Sequence, residues 1–185
     1  MISSLSSWQN FYVIVGSATG ALTGLQFVVV TLVTQARAAL SMREIRAFGT
    51  PTEVHFCSAL PVSALMSAPW PSTETFGTCL GICGLVGVIY SLGIIWHARK
   101  ATYNPDLEDW IWYTVLPLAA HLALVAAAVM LWWHDCWPLY IVAAATLGFL
   151  LVGVHNSWDT VTYIALKHSS KLNETSTQGK DQGPT

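Results

Sequence analysis

The last apolar run of the chain ends in VHNSWDTVTY and carries two ionisable residues one helical turn apart, His155 and Asp159, with Asn156 beside the first. Residues at i and i+4 share a helix face. An imidazole next to a carboxylate can take up a proton, contact a cation, or hold helices together through hydrogen bonds. Depth separates these uses. Twenty residues from Leu139 reach Trp158, a rise of about 30 Å, which matches the hydrocarbon core of a bilayer. Asp159 therefore falls at a membrane boundary, where the plain reading is an interfacial anchor beside Trp158. His155 lies a turn deeper, where ionisable groups are costly and mark polar interiors or pathways.

Other polar residues fall at the same level. Glu53 and His55 open a second apolar run, and Gln26 lies in the matching half of the first. Gln26, Glu53, His55, His155, Asn156 and Asp159 would together form a polar pocket open to one side of the membrane. Glu53 equally suits a helix start near Thr52, where negative charge meets the positive end of the dipole. His97, beside Arg99, reads as a surface residue.

His121 falls near the middle of a fourth run. A histidine at that depth suits a haem ligand or a proton relay. A b-type haem needs a second axial ligand at similar depth, and no other histidine is expected there. The alternative is a buried imidazole bonded to a helix carbonyl. Cys79 and Cys83 stand four apart, not in the CxxC redox spacing. A Cys79–Cys136 disulfide is sterically open in an oxidising compartment. His134, Asp135 and Cys136 are ligand types, but three adjacent residues do not easily point at one ion. No GxSxG, Walker, HExxH or dinucleotide fingerprint is present. No cofactor is predicted, haem through His121 being the alternative.

The elements that must position these groups are membrane helices. Hydrophobic residues make up 54% of the 185 and charged residues 10%, against roughly 25% charged in soluble domains. Mean hydropathy is +0.51. Five apolar runs are legible: about Phe11 to Val33, Val54 to Trp70 with Pro61 inside it, Phe76 to Trp96, Trp110 to Trp133, and Leu139 to Leu166. Threaded as five spans, the chain places all eight basic residues on one side: Arg37, Arg43, Arg46, Arg99, Lys100, Lys167, Lys171 and Lys180. Were the second run not to cross, they would divide three and five. Cytoplasmic loops hold the excess of Lys and Arg. The expected fold is thus an all-α five-helix transmembrane bundle over residues 1–167, N-terminus outside, with a disordered cytoplasmic tail over 168–185. The tryptophans agree. Trp8, Trp70, Trp132, Trp133 and Trp137 fall at outer ends, and Trp96, Trp110, Trp112 and Trp158 at inner ends, as an aromatic belt requires. Asn173-Glu174-Thr175 fits a glycosylation sequon but lies on the cytoplasmic side.

Gly16, Gly20 and Gly24 make a GxxxGxxxG stripe in the first span. Small residues on one face let helices approach closely in lipid. The partner could be the third span, which carries Gly77, Gly81, Gly84 and Gly87, or another subunit.

The segments FYVIVGSATGALTGLQFVVV and GVHNSWDTVTY, about a sixth of the chain, resemble small bacterial multi-pass membrane proteins of unknown function, some labelled modulators of the FtsH protease. The resemblance implies a bacterial inner-membrane location. It points to the glycine stripe and the His155–Asp159 segment, and implies no activity. The expected function is that of a non-enzymatic inner-membrane protein, channel- or transporter-like in its sharper form, with a cytoplasm-facing polar pocket. The rivals are an accessory or modulator subunit of a larger membrane complex, and a haem or quinone redox protein. The expected partners are the lipid bilayer and either a second copy or a membrane-complex subunit. The scattered basic residues give no reason to expect nucleic acid.

Overall fold

A computed structural model describes residues 2–35, 42–98, 107–133 and 137–181, with side chains placed for 5–29, 31, 54–96, 107–108, 110–133 and 137–162. The described residues form helices and no strand. We number them α1 (Ile2–Gln35), α2 (Met42–Ser67), α3 (Thr73–Ala98), α4 (residues 107–130) and α5 (Pro138–Asp181). Where polar composition predicts a disordered tail from His168, the backbone is helical as far as Asp181.

Each boundary has a local cause. Ser72 caps α3, its hydroxyl accepting from the Thr75 N–H at 3.2 Å. Pro138 opens α5, where a missing N–H costs nothing. Inside α4 lies a π-helical turn, Ile111–Val115, between α-helical Leu107–Trp110 and Leu116–Met130. The Leu116 N–H donates to the Ile111 carbonyl, a five-residue reach. Pro117 follows at once; it cannot donate, and its ring crowds the carbonyl four residues back. The widened turn accommodates both effects. Many hydroxyls bond back within their own helix, among them Thr19 to the Val15 carbonyl at 2.7 Å and Thr146 to the Val142 carbonyl at 2.7 Å. In lipid, polar groups must find such partners internally.

Among the described residues, four helices contain spans long and apolar enough to cross a bilayer: Leu5–Val29, Thr73–Trp96, Ile111–Met130 and Pro138–Thr162. The apolar part of α2, Val54–Ser67, is shorter. Large apolar side chains line the exterior; Ile14 is 69% exposed and Ile89 70%. Such a surface belongs against acyl chains, and the chain is a multi-pass membrane protein. α2 lies between α1 and α5, α4 packs on α5, and α3 packs on α4. The core holds Tyr12, Val62, Phe76, Leu80, Leu124, Leu139 and Phe149. Trp8 joins α1 to α5 through an edge contact with Tyr140, ring centroids 4.9 Å apart.

The glycines correct one expectation. α3 does not place its stripe on α1; it packs on α4. A Cβ at Gly81 would sit 3.5 Å from Cβ of Ala128, and one at Gly84 would press to 2.8 Å from Val125 Cγ2. In α1, a Cβ at Gly16 would approach Ser63 closely, while one at Gly20 or Gly24 would meet no atom of the other described helices within 4 Å. A glycine stripe makes a smooth face; the helix that fills it is the one whose ridge fits, here the Val125–Ala128 ridge of α4.

Candidate functional site

Call the two ends of the bundle the Trp8 end and the Trp158 end. The Trp8 half is packed, and its buried Ser63 and Thr146 hydroxyls bond back to carbonyls of their own helices. The Trp158 half holds Gln26 on α1, His55 on α2 and Asn156 on α5, which are 4%, 1% and 0% exposed. Their positions follow from one close contact. The Phe56 ring lies against Gly153, where a Cβ would come 2.5 Å from its Cε1. Glycine there brings α2 onto α5, which buries the neighbouring His55 and Asn156. Gln26 reaches a groove of about 270 Å³ between α1, α2 and α5, walled by Leu22, Leu25, Phe56, Val154 and Trp158.

Several polar atoms of this group have no hydrogen-bond partner among the described residues: Gln26 Nε2, both ring nitrogens of His55, and both amide atoms of Asn156. Buried polar groups are nearly always bonded, and each exception calls for an explanation. These three residues lie on three adjoining helices, and of them Gln26 lines the groove.

His155 and Asp159 stand apart from these three residues. His155 faces α4, its ring stacked on Trp112 with centroids 3.7 Å apart and planes 20° from parallel. Its Nε2 lies 3.1 Å from Asp159 Oδ2, a close contact outside hydrogen-bond geometry. The two side chains are 27% and 45% exposed. The predicted pocket thus divides. Gln26, His55 and Asn156 are interior; His155 and Asp159 form a half-exposed clamp with Trp112 at the boundary. Glu53 lies on α2, and its side chain is outside the described residues, as is that of His97.

His121 is 2% exposed. Its Nδ1 lies 2.8 Å from the Pro117 carbonyl, which only accepts, so Nδ1 carries a proton and donates. Its Nε2 lies 3.2 Å from Ser58 Oγ. Phe149 backs the ring at 4.5 Å between centroids, and Gly87 lies under it, where any Cβ would fall inside the imidazole. Among the described residues no disulfide joins Cys57, Cys79 or Cys83; Cys136, the other half of the sterically open Cys79–Cys136 bridge, lies outside the described residues with His134 and Asp135.

No protein-family model matches this sequence, and neither a curated protein nor a solved structure does. The site therefore rests on its own geometry. Sequence reasoning did not find the Trp112–His155 stack or the Ser58–His121 pair. Nothing in the spacing signals either, because each joins helices whose relative rotation the sequence leaves open.

Proposed function

We propose that the chain is a non-enzymatic, transporter-like protein of the bacterial inner membrane whose polar chamber takes a small polar solute or cation from the cytoplasm. It spans five times, with the N-terminus outside and the Trp158 end inside. The reading rests on the unpartnered atoms of Gln26, His55 and Asn156 in one half of the bundle. The eight-to-none division of Lys and Arg supports the orientation. α2 supports the fifth crossing, because it meets α1 at Gly16–Ser63 and α5 at Gly153–Phe56. The close packing of the Trp8 half around Tyr12, Met66, Phe76 and Leu139 argues against a standing pore and for alternating access, in which that half must open after binding.

The test is flux in proteoliposomes, with sodium, potassium and protons each followed in turn. Asn156→Leu should keep the fold and lower the flux of whichever ion moves. A purified, folded parent protein that moves none of the three overturns the cation form of the proposal. The accessory-subunit reading has one observation of its own, the exposed Gly20–Gly24 face of α1. Native mass measurement showing a stoichiometric partner would favour it.

A further inference from the structure

His121 sits where four helices meet, near the middle of the Ile111–Met130 span. On its own helix, α4, the Pro117 carbonyl accepts from Nδ1–H at 2.8 Å. On α2, Ser58 Oγ lies 3.2 Å from Nε2 and 2.8 Å from the Val54 carbonyl. On α5 the Phe149 ring backs the imidazole, and on α3 the missing Cβ of Gly87 leaves room for it. The ring is fixed from every side, and only the Ser58 hydroxyl is free to turn.

That hydroxyl has two positions, and they match the two charge states of the ring. With the ring neutral, Nε2 accepts and Ser58 donates its O–H to it. A proton arriving from the Trp158 side binds Nε2. Nε2–H then donates to Ser58 Oγ, and the Ser58 O–H turns to the Val54 carbonyl, which has a second lone pair beyond its helix bond. Nδ1–H stays on Pro117 throughout. The ring gains one proton and one positive charge, and the number of its hydrogen bonds does not change. Loss of the proton turns the hydroxyl back. A backbone N–H in place of Ser58 would serve only the neutral ring, and a carbonyl only the charged one.

We propose that the cation this protein carries is the proton, that His121 holds it at mid-membrane, and that the Ser58 hydroxyl is the switch for its uptake and release. The proposal rests on the transporter reading above and narrows it. His55 stands on the entry side. It precedes Ser58 by three residues, so the two share a face of α2, and it is the nearer to the Trp158 end. It is 1% exposed, and neither ring nitrogen has a partner among the described residues. The other titratable groups facing His121 are weak acids: Cys57 on α2, and Cys83 and Tyr90 on α3, which line the cleft beside it. From α5 it meets Phe149, while His155 and Asp159 belong to Trp112 at the boundary. Among the placed side chains the carboxylates are Glu74, Glu108 and Asp159. Glu74 lies thirteen residues before Gly87, and Glu108 thirteen before His121, about 20 Å along each helix. No placed carboxylate therefore traps a proton at His121, as suits a group that must let it go.

The experiment uses the full chain in proteoliposomes, with a pH-sensitive dye inside and an imposed membrane potential as the drive. Sodium and potassium fluxes are followed in separate preparations. The parent should move protons above the leak of empty vesicles, and His121→Gln should lower that flux at least tenfold. Should His121→Gln not fold, the two Ser58 variants decide. Ser58→Ala removes the switch and should slow proton flux about tenfold, the worth of one hydrogen bond. Ser58→Thr keeps the hydroxyl, and its methyl has room in the cleft of about 310 Å³ beside it, so it should restore the flux. A packing role for Ser58 would make threonine, not alanine, the more damaging. Proton flux unchanged by His121→Gln or by Ser58→Ala, or as slow in Ser58→Thr as in Ser58→Ala, would overturn the assignment. Sodium or potassium flux without proton flux would overturn it and leave the transporter reading standing. A folded parent that moves none of the three removes the cation form of that reading, and this inference with it.

Discussion

Replacing Gly87 with alanine should destabilise the bundle by about 1–3 kcal/mol, the usual cost of overpacking. The reason is local. The new methyl would fall inside the His121 imidazole, whereas carbon atoms in contact prefer ~3.5–4.0 Å. The ring cannot retreat freely. Phe149 lies behind it at 4.5 Å between centroids, and its Nδ1 is held 2.8 Å from the Pro117 carbonyl. Moving the ring breaks that bond, a further loss of about 1 kcal/mol. Holding the ring forces α3 from α4 and opens the Gly84–Val125 contact. Alanine returns up to about 1 kcal/mol through helix propensity, so the net effect stays unfavourable. Gly20→Ala is the control, since nothing lies within 4 Å of its added carbon; it should be neutral or slightly stabilising. Unfolding in detergent, followed by loss of the tryptophan signal, compares the two. The decisive arm is the double variant. In a His121→Ala background the methyl has room, and the cost of Gly87→Ala should disappear. Equal stability of Gly87→Ala and Gly20→Ala, or a cost that persists without the imidazole, would refute the argument.

Reporter fusions after Lys100 and Lys167 should both read cytoplasmic and a fusion after Thr73 external; an external signal at Lys167 would sink the five-span topology. Asn156→Leu should leave stability unchanged or raise it, because both amide atoms are unpartnered; a loss of ~1–3 kcal/mol in the same melts would mean that the amide has a partner within the bundle. Trp112→Leu should lower stability by about 1 kcal/mol through loss of the ring stack. Asp159→Asn should cost at most ~1 kcal/mol, since a half-exposed imidazole–carboxylate contact is screened by solvent; a larger loss in the melts would show that the carboxylate holds the clamp.

The helices were legible because apolar runs of this length allow little else. Runs one, three, four and five reappear as spans long enough to cross. The second was the hardest to read, and its apolar part is the shortest in the structure. Three of the six residues named for the pocket, Gln26, His55 and Asn156, are buried. Rotation was not legible. His155 and Asn156 are neighbours in sequence, yet one stacks on Trp112 of α4 and the other is enclosed. The glycine stripes show the same limit. Those of α1 and α3 look alike as text, and only the structure shows that Gly84 and Gly87 are filled while Gly20 and Gly24 are not. A helical period fixes which residues share a face, and leaves open what that face meets.

The π turn in α4 sets the phase of two contacts that a regular helix would keep apart. Trp112 and His121 both meet α5, the first at His155 and the second at Phe149. They are nine residues apart, and at about 100° per residue a uniform α-helix would point them in opposite directions. A π turn absorbs one extra residue. Eight remain to be counted, and the two rings come within about 80° of one another. One residue of slack between Ile111 and Val115 thus aligns the boundary clamp and the mid-membrane imidazole on a single partner. Straightening that turn into regular α-helix without removing a residue would restore the nine-residue phase and swing Trp112 by about 100° around α4, uncoupling the two ends of the α4–α5 seam, whereas deleting one residue there would keep both rings in phase.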